Sequence, residues 1–119
     1  MSRKITVCSL AIVALLVVNG CVLGASGTGA PTGLTTEVRS SSEILLTWDR
    51  QEDADAFRVE RKDGEGAPFR EVGVTAPLAT GHLNTGLSLG ATYTWRVRAC
   101  VADRCSRYSE EVSAATHET

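Results

Sequence analysis

Polar and apolar positions follow two different rhythms along this chain. Ile5 to Val18 is an almost unbroken apolar run, preceded by Arg3 and Lys4 and followed by small residues. Later in the chain a period of two takes over. In Glu43 to Trp48 the apolar Ile44, Leu46 and Trp48 share one face, and in Ala56 to Lys62 Phe57 and Val59 alternate with Arg58, Glu60 and Lys62. Thr92 to Ala99 is the clearest case. Tyr93, Trp95, Val97 and Ala99 fall on one side, and Thr94, Arg96 and Arg98 fall on the other, which is the pattern of an antiparallel strand with one wet face. Val112, Ala114 and Thr116 repeat it weakly. Turn formers at Asp63 to Gly66, Ala76-Pro77, Asn84 to Gly86 and Leu89-Gly90 break these runs at short intervals. No segment carries the period of a long amphipathic helix, so the expected class is all-β and antiparallel.

The first rhythm has a different meaning. A buried core helix would keep a polar face, and a membrane span needs about 20 apolar residues, so a basic start with a short apolar run reads as a secretory leader. Stretched to Leu23, the same run is an uncleaved signal anchor instead. In both cases Arg3 and Lys4 stay on the cytoplasmic side and the rest is delivered outside. Val18-Asn19-Gly20-Cys21 resembles the bacterial lipobox, although Leu is commoner than Val18 and Ala or Ser commoner than Asn19. The resemblance implies that Cys21 is lipidated and becomes the new N-terminus. Ordinary cleavage after Gly20 or Gly24, giving a secreted or periplasmic protein, is the competing reading. Several acyl chains on one N-terminus would hold a small domain firmly at a membrane. Cys8 leaves with the leader and Cys21 is taken by lipid, so Cys100 and Cys105 remain as an even pair in an oxidising compartment. The expected division is a signal peptide at 1–20, a small-residue tether at 21–30, one domain at 31–117 and a tail at 118–119.

Composition sets the limits of that domain. A chain of 119 residues with 43% hydrophobic and 22% charged residues has room for one globular core. Without Arg3 and Lys4 it carries ten Lys and Arg against fourteen Asp and Glu, a net charge near −4. That balance argues against nucleic acid as a partner.

From Pro31 to Thr116 the residues resemble the fibronectin type III domain. Pro31 with Leu34 is similar to the opening strand, Ile44 to Trp48 to the second strand with its core tryptophan, and Phe57 to Arg61 to the third. Phe69 to Val74 would be the next edge strand. Gly86 to Ala99 resembles the Leu-to-Tyr corner of that family and the alternating strand after it, and Ser106 to Ser109 would open the last strand. Leu89 stands where Pro is usual and Phe57 where Tyr is usual. The resemblance implies a seven-stranded antiparallel immunoglobulin-like sandwich. In its last hairpin Cys100 and Cys105 would face each other within disulfide reach, a bond worth about 2 kcal/mol for so small a loop. It would also stiffen a loop that this family uses for recognition.

Candidate chemistry is sparse. His82, expected on the outer side of a strand, and His117 in the tail offer no base for Ser or Cys catalysis, and the cysteine spacing is neither Cys-x-x-Cys nor a zinc set. Asp49, Glu52, Asp53 and Asp55 cluster after Trp48, where two carboxylates could flank a sugar bond or bind calcium. They lack the ligand order of an EF-hand and read more simply as a solvated acidic loop. Trp48, Phe57, Tyr93 and Trp95 have core positions, so only Phe69 and Tyr108 are left for partial exposure. The patterned surface is the outer face bearing Arg58, Glu60, Lys62, Thr94, Arg96 and Arg98, near Glu111. Its charges either pair across strands or receive an anionic partner.

The sequence therefore points to a non-catalytic cell-envelope lipoprotein without a cofactor or metal. Its module would present Arg58, Arg96, Arg98, Asp103 and Arg104 to an envelope protein or glycan, while the membrane is met through the lipid on Cys21. The alternative is a structural spacer or assembly accessory with no specific ligand. Trp48→Ala is expected to cost about 3–5 kcal/mol, because it empties the centre of a single small core. Cooperative melting near the parent temperature would show that Trp48 lies elsewhere.

Overall fold

The computed structural model describes residues 28–117. The leader, Cys8, Cys21, most of the tether and the last two residues lie outside the described residues. Eight strands follow in order: β1 (Thr35–Ser40), β2 (Glu43–Thr47), β3 (Ala56–Asp63), β4 (Arg70–Thr75), β5 (Gly81–Asn84), β6 (Thr92–Val101), β7 (Arg104–Cys105) and β8 (Val112–Ala115). All pairings are antiparallel. One sheet runs β1-β2-β5, and the other runs β4-β3-β6-β7 with β8 also on β6.

The period of two decides which side each residue takes. Ile44, Leu46 and Trp48 from the first sheet meet Phe57, Val59, Trp95 and Val97 from the second, all buried. Trp48 and Phe57 pack with ring centroids 5.4 Å apart. The corner between β5 and β6 is closed by Tyr93, whose hydroxyl accepts the Ser88 amide at 2.8 Å, while Leu87 packs into the core. Thr116 seals the same corner. Its hydroxyl donates to the Ser88 carbonyl and accepts the Gly90 amide.

Two strand assignments move. Pro31 and Leu34 do not open the first strand, which starts at Thr35. Pro31 has no amide to donate, and the backbone is held instead by the Asp49 amide donating to the Thr32 carbonyl at 2.9 Å. The seventh strand is split, giving eight. After the two residues of β7 the chain leaves the ladder until Val112, so Ser106 to Ser109 is not strand. Each of those two serines exchanges bonds with β6 through both backbone and side chain. The Ser106 amide donates to the Ala99 carbonyl and its hydroxyl accepts the Ala99 amide, and Ser109 does the same with Val97. A spacing of three between the serines does not fit a pleat of two, and the hydroxyls stand in for carbonyls that the kinked chain turns away.

The core also holds polar atoms. Asn84 on β5 is only 2% exposed. Its side-chain oxygen accepts the Trp95 indole N–H at 3.0 Å, and its amide nitrogen donates to the Ile44 carbonyl at 3.1 Å. Trp48 Nε1 has no hydrogen-bond partner among the described residues. The two tryptophans should thus respond differently to loss of the indole N–H. Trp95→Phe leaves the buried Asn84 oxygen with only the longer bond from Arg61, at 3.4 Å, and is expected to cost about 1–3 kcal/mol beyond the lost volume. Trp48→Phe loses volume alone. Equal losses in paired denaturant titrations would show that the Asn84 bond contributes nothing.

Candidate interaction surface

The alternation that buries Phe57, Val59, Trp95 and Val97 sends Arg58, Glu60 and Lys62 of β3 and Thr94, Arg96 and Arg98 of β6 to the outer face. The register sets Arg58 opposite Arg98, Glu60 opposite Arg96 and Lys62 opposite Thr94. Arg96 sits at the centre. It donates to Glu60 at 2.8 Å and 2.9 Å, and its guanidinium lies 4.0 Å from the Phe69 ring centre and 3.7 Å from that of Tyr108. Lys62 approaches the Phe69 ring at 5.6 Å, and Arg98 approaches the Tyr108 ring at 5.0 Å. Cations and rings thus alternate along the face in the order Lys62, Phe69, Arg96, Tyr108, Arg98.

Glu60 sits between Arg96 and the Tyr108 hydroxyl, which donates to it at 2.8 Å. Burial pushes this carboxyl up, but the hydrogen bonds from Arg96 and Tyr108 and the charges of Arg96 and Arg98 outweigh that and hold it below its usual value. Burial and the bond to Glu60 raise the Tyr108 hydroxyl. Arg58 pairs with Glu71 at 3.0 Å. Beyond the end of this face, Asp103 and Arg104 lie exposed in the hairpin after β6. Cys100 and Cys105 are directly paired there and joined by the disulfide. Asp55 anchors the tip, its carboxylate accepting the Ala102 amide at 3.3 Å and its own amide donating to the Cys100 carbonyl at 2.8 Å.

The acidic loop is tied up in similar local bonds. Asp49 accepts from Thr32, Glu52 from Arg50 and Asp53 from Gln51. The loop also touches the residues before the sandwich, since Gln51 donates to the Gly29 carbonyl at 2.8 Å. Among the described residues no group of three or more His, Cys, Asp or Glu is placed to hold a metal ion.

His82 is corrected from the outer to the inner side of its strand. Its partner in the ladder is the buried Leu46, and the outward position on β5 belongs to Leu83, which is 45% exposed. The imidazole lies against Gly73 of the facing sheet, where a Cβ would come within 2.5 Å of Cε1. Nearby is a charged group that the alternation does not single out. Arg61 takes an inward position, is 9% exposed, and binds Asp63 through Nε at 2.7 Å with its guanidinium 5.2 Å from the Tyr93 ring centre. Arg70 reaches the same carboxylate at 2.8 Å. Hydrogen bonds from Arg61 and then Arg70 overcome burial and hold Asp63 at about 2. Arg61, Arg70 and His82 line an open cleft of about 390 Å³ between β4 and β5.

Two sheets in this order, closed by a tyrosine corner, decide the architecture. The fold is fibronectin type III-like. It is similar to a Fn3-like protein from Clostridium thermocellum at 26% identity and TM-score 0.65, covering 74% of this chain and 92% of that one. The sixth fibronectin type III domain of a human fibronectin type III domain containing protein 3 is 23% identical at TM-score 0.66, covering 82% and 92%. A β-1,2-glucanase from Parabacteroides distasonis is 23% identical at TM-score 0.69 over 86% of this chain, which spans only 14% of that enzyme. No protein-family model and no curated protein matches the sequence.

The half-buried histidine of this fibronectin type III-like sandwich should be visible in its acid response. Burial, and then the Arg61 charge, hold His82 below the ordinary 6.5. The unfolded chain therefore takes up the proton first, so stability present at pH 7 falls as pH drops through about 6.5 and levels off once the folded imidazole also titrates. His82→Gln should flatten the stability profile between pH 7 and 5. Parallel profiles for the two proteins would exclude His82 as the source.

Proposed function

We propose that the chain is an exported, lipid-anchored and non-catalytic module. In this reading its fibronectin type III-like sandwich presents the arginine face of β3 and β6, with the adjoining hairpin, to an anionic protein or glycan of the cell envelope. The observation that carries it is the stack of cations and rings on that face. Guanidinium groups held against rings, Arg96 between two and Arg98 on one, lose little freedom on binding, which lowers the entropic cost of recognition. The Cys100–Cys105 disulfide supports delivery to an oxidising compartment, and it stiffens the hairpin beside Arg98. The leader and the lipobox-like Val18 to Cys21 support anchoring through Cys21. The fold supports an interaction or spacer module, and the local bonds of the acidic loop support a structural role for its carboxylates.

Two measurements test the two halves of the proposal. Protein extracted from its native membrane should have the mass of residues 21 to 119 plus acyl groups, with a mass change on reduction for one disulfide. An unacylated chain would remove the anchor and leave a secreted or periplasmic module. Separately, Arg58→Ser with Arg98→Ser should abolish retention of the partner recovered from the native envelope while the melting transition stays cooperative. Full retention by that variant would discard the arginine face and favour the spacer role.

A further inference from the structure

Charge pairing accounts for most of the outer face but not for one juxtaposition. Arg58 and Arg98 are direct cross-strand partners, so their side chains leave the sheet about 4.5–5.5 Å apart at Cβ. Like charges placed directly opposite each other destabilise a sheet. Glu60 is committed to Arg96 and Tyr108, and Glu71 to Arg58. Arg98 has no ion pair among the described residues, and its Nε is buried without a hydrogen-bond partner. It is nevertheless held in place, because the Tyr108 ring beside it is fixed by Glu60 and shared with Arg96. The arginines of this face outnumber its two glutamates, and the excess lies at the Arg58–Arg98 end.

We infer that Arg58 and Arg98 together form a site for a tetrahedral oxyanion, a phosphate or sulfate group. The inference rests on the reading of this face as a partner-binding surface and narrows it to a ligand chemistry. A carboxylate can bridge two guanidinium groups, as Asp63 does for Arg61 and Arg70, but it brings only two oxygens and a single charge. A tetrahedral group has oxygens enough to accept from both guanidinium groups at once, so it bridges the two strands without displacing Glu71. Arg58 is partly open to water, so the free ion binds weakly and in a salt-dependent manner. An ester on a larger ligand adds contacts along the face.

The test is titration of the folded protein with sodium phosphate and sodium sulfate at constant ionic strength, reading the arginine Nε–H resonances by NMR with chloride as reference. The Arg58 and Arg98 signals should move along a saturating curve while that of Arg39, on the other sheet, does not. Arg98→Gln and, separately, Arg58→Gln should each weaken binding about tenfold, the loss expected for one charge-assisted contact. Glucose 6-phosphate against glucose identifies the source. Tighter binding than inorganic phosphate assigns the site to a phosphate ester, and weaker binding assigns it to the free ion. Unsaturating shifts shared equally with Arg39 would overturn the inference. If such shifts accompanied loss of envelope retention in the double serine variant, the partner surface would stand and only its oxyanion chemistry would fall. Saturation without any envelope partner would leave the anion site and discard the partner.

Discussion

The two sheets are held in a single relative position by one buried amide. Hydrophobic burial brings them together, but apolar contacts alone tolerate sliding and repacking. Asn84 does not tolerate it. From β5 it accepts the indole N–H of Trp95 on β6 and the guanidinium of Arg61 on β3, and it donates to the Ile44 carbonyl on β2. Any shift between sheets strands a buried polar atom, and a buried polar atom without a partner costs far more than the bond is worth in water. Arg61 can occupy an inward position only because the same arrangement offers it Asp63, the Asn84 oxygen and the Tyr93 ring. The outer face depends on this in turn, since a fixed register between β3 and β6 is what sets Arg58 beside Arg98.

The two faces of the larger sheet solve related problems with different materials. Inside, aromatic rings pack against aliphatic side chains and polar atoms are few, all but the Trp48 indole N–H being matched among the described residues. Outside, rings are spaced by cations, so that Phe69 and Tyr108 bury part of their surface against guanidinium planes while the charges keep contact with water. A solvent-exposed face of arginines would otherwise be a set of long, mobile side chains. Here it has a fixed shape, and the disulfide hairpin extends that rigidity past the end of β6.

Much of the fold was legible because the period of two in β2, β3 and β6 is strong and its inward residues are large. The placement of Trp48, Phe57, Tyr93 and Trp95 follows from that alone, as does the sharing of one face by Arg58, Arg96 and Arg98. Short strands were harder. In β5 the four residues Gly81 to Asn84 give no preference for one face over the other, and Leu83 is the more apolar choice for the inside. The register with Leu46 puts His82 there instead, since Gly73 on the facing strand leaves room for a ring. Asn84 resembled a turn residue, and only its position opposite the buried Ile44 shows its role. The ring stack was not legible at all. It joins residues from a loop, two strands and an irregular segment, and no local pattern encodes it.

The split of the last strand bears on how this sandwich behaves beside its own copies. A sheet edge normally offers a repeating row of amides and carbonyls that a second chain can extend. Along Ser106 to Ser109 that row is broken, because serine hydroxyls take the β6 amides and then donate to the Arg107 and Glu110 carbonyls. A neighbouring strand arriving there finds its acceptors occupied and their spacing wrong, so the serine hydroxyls guard this border together with the exposed charges of Arg107, Glu110 and Glu111.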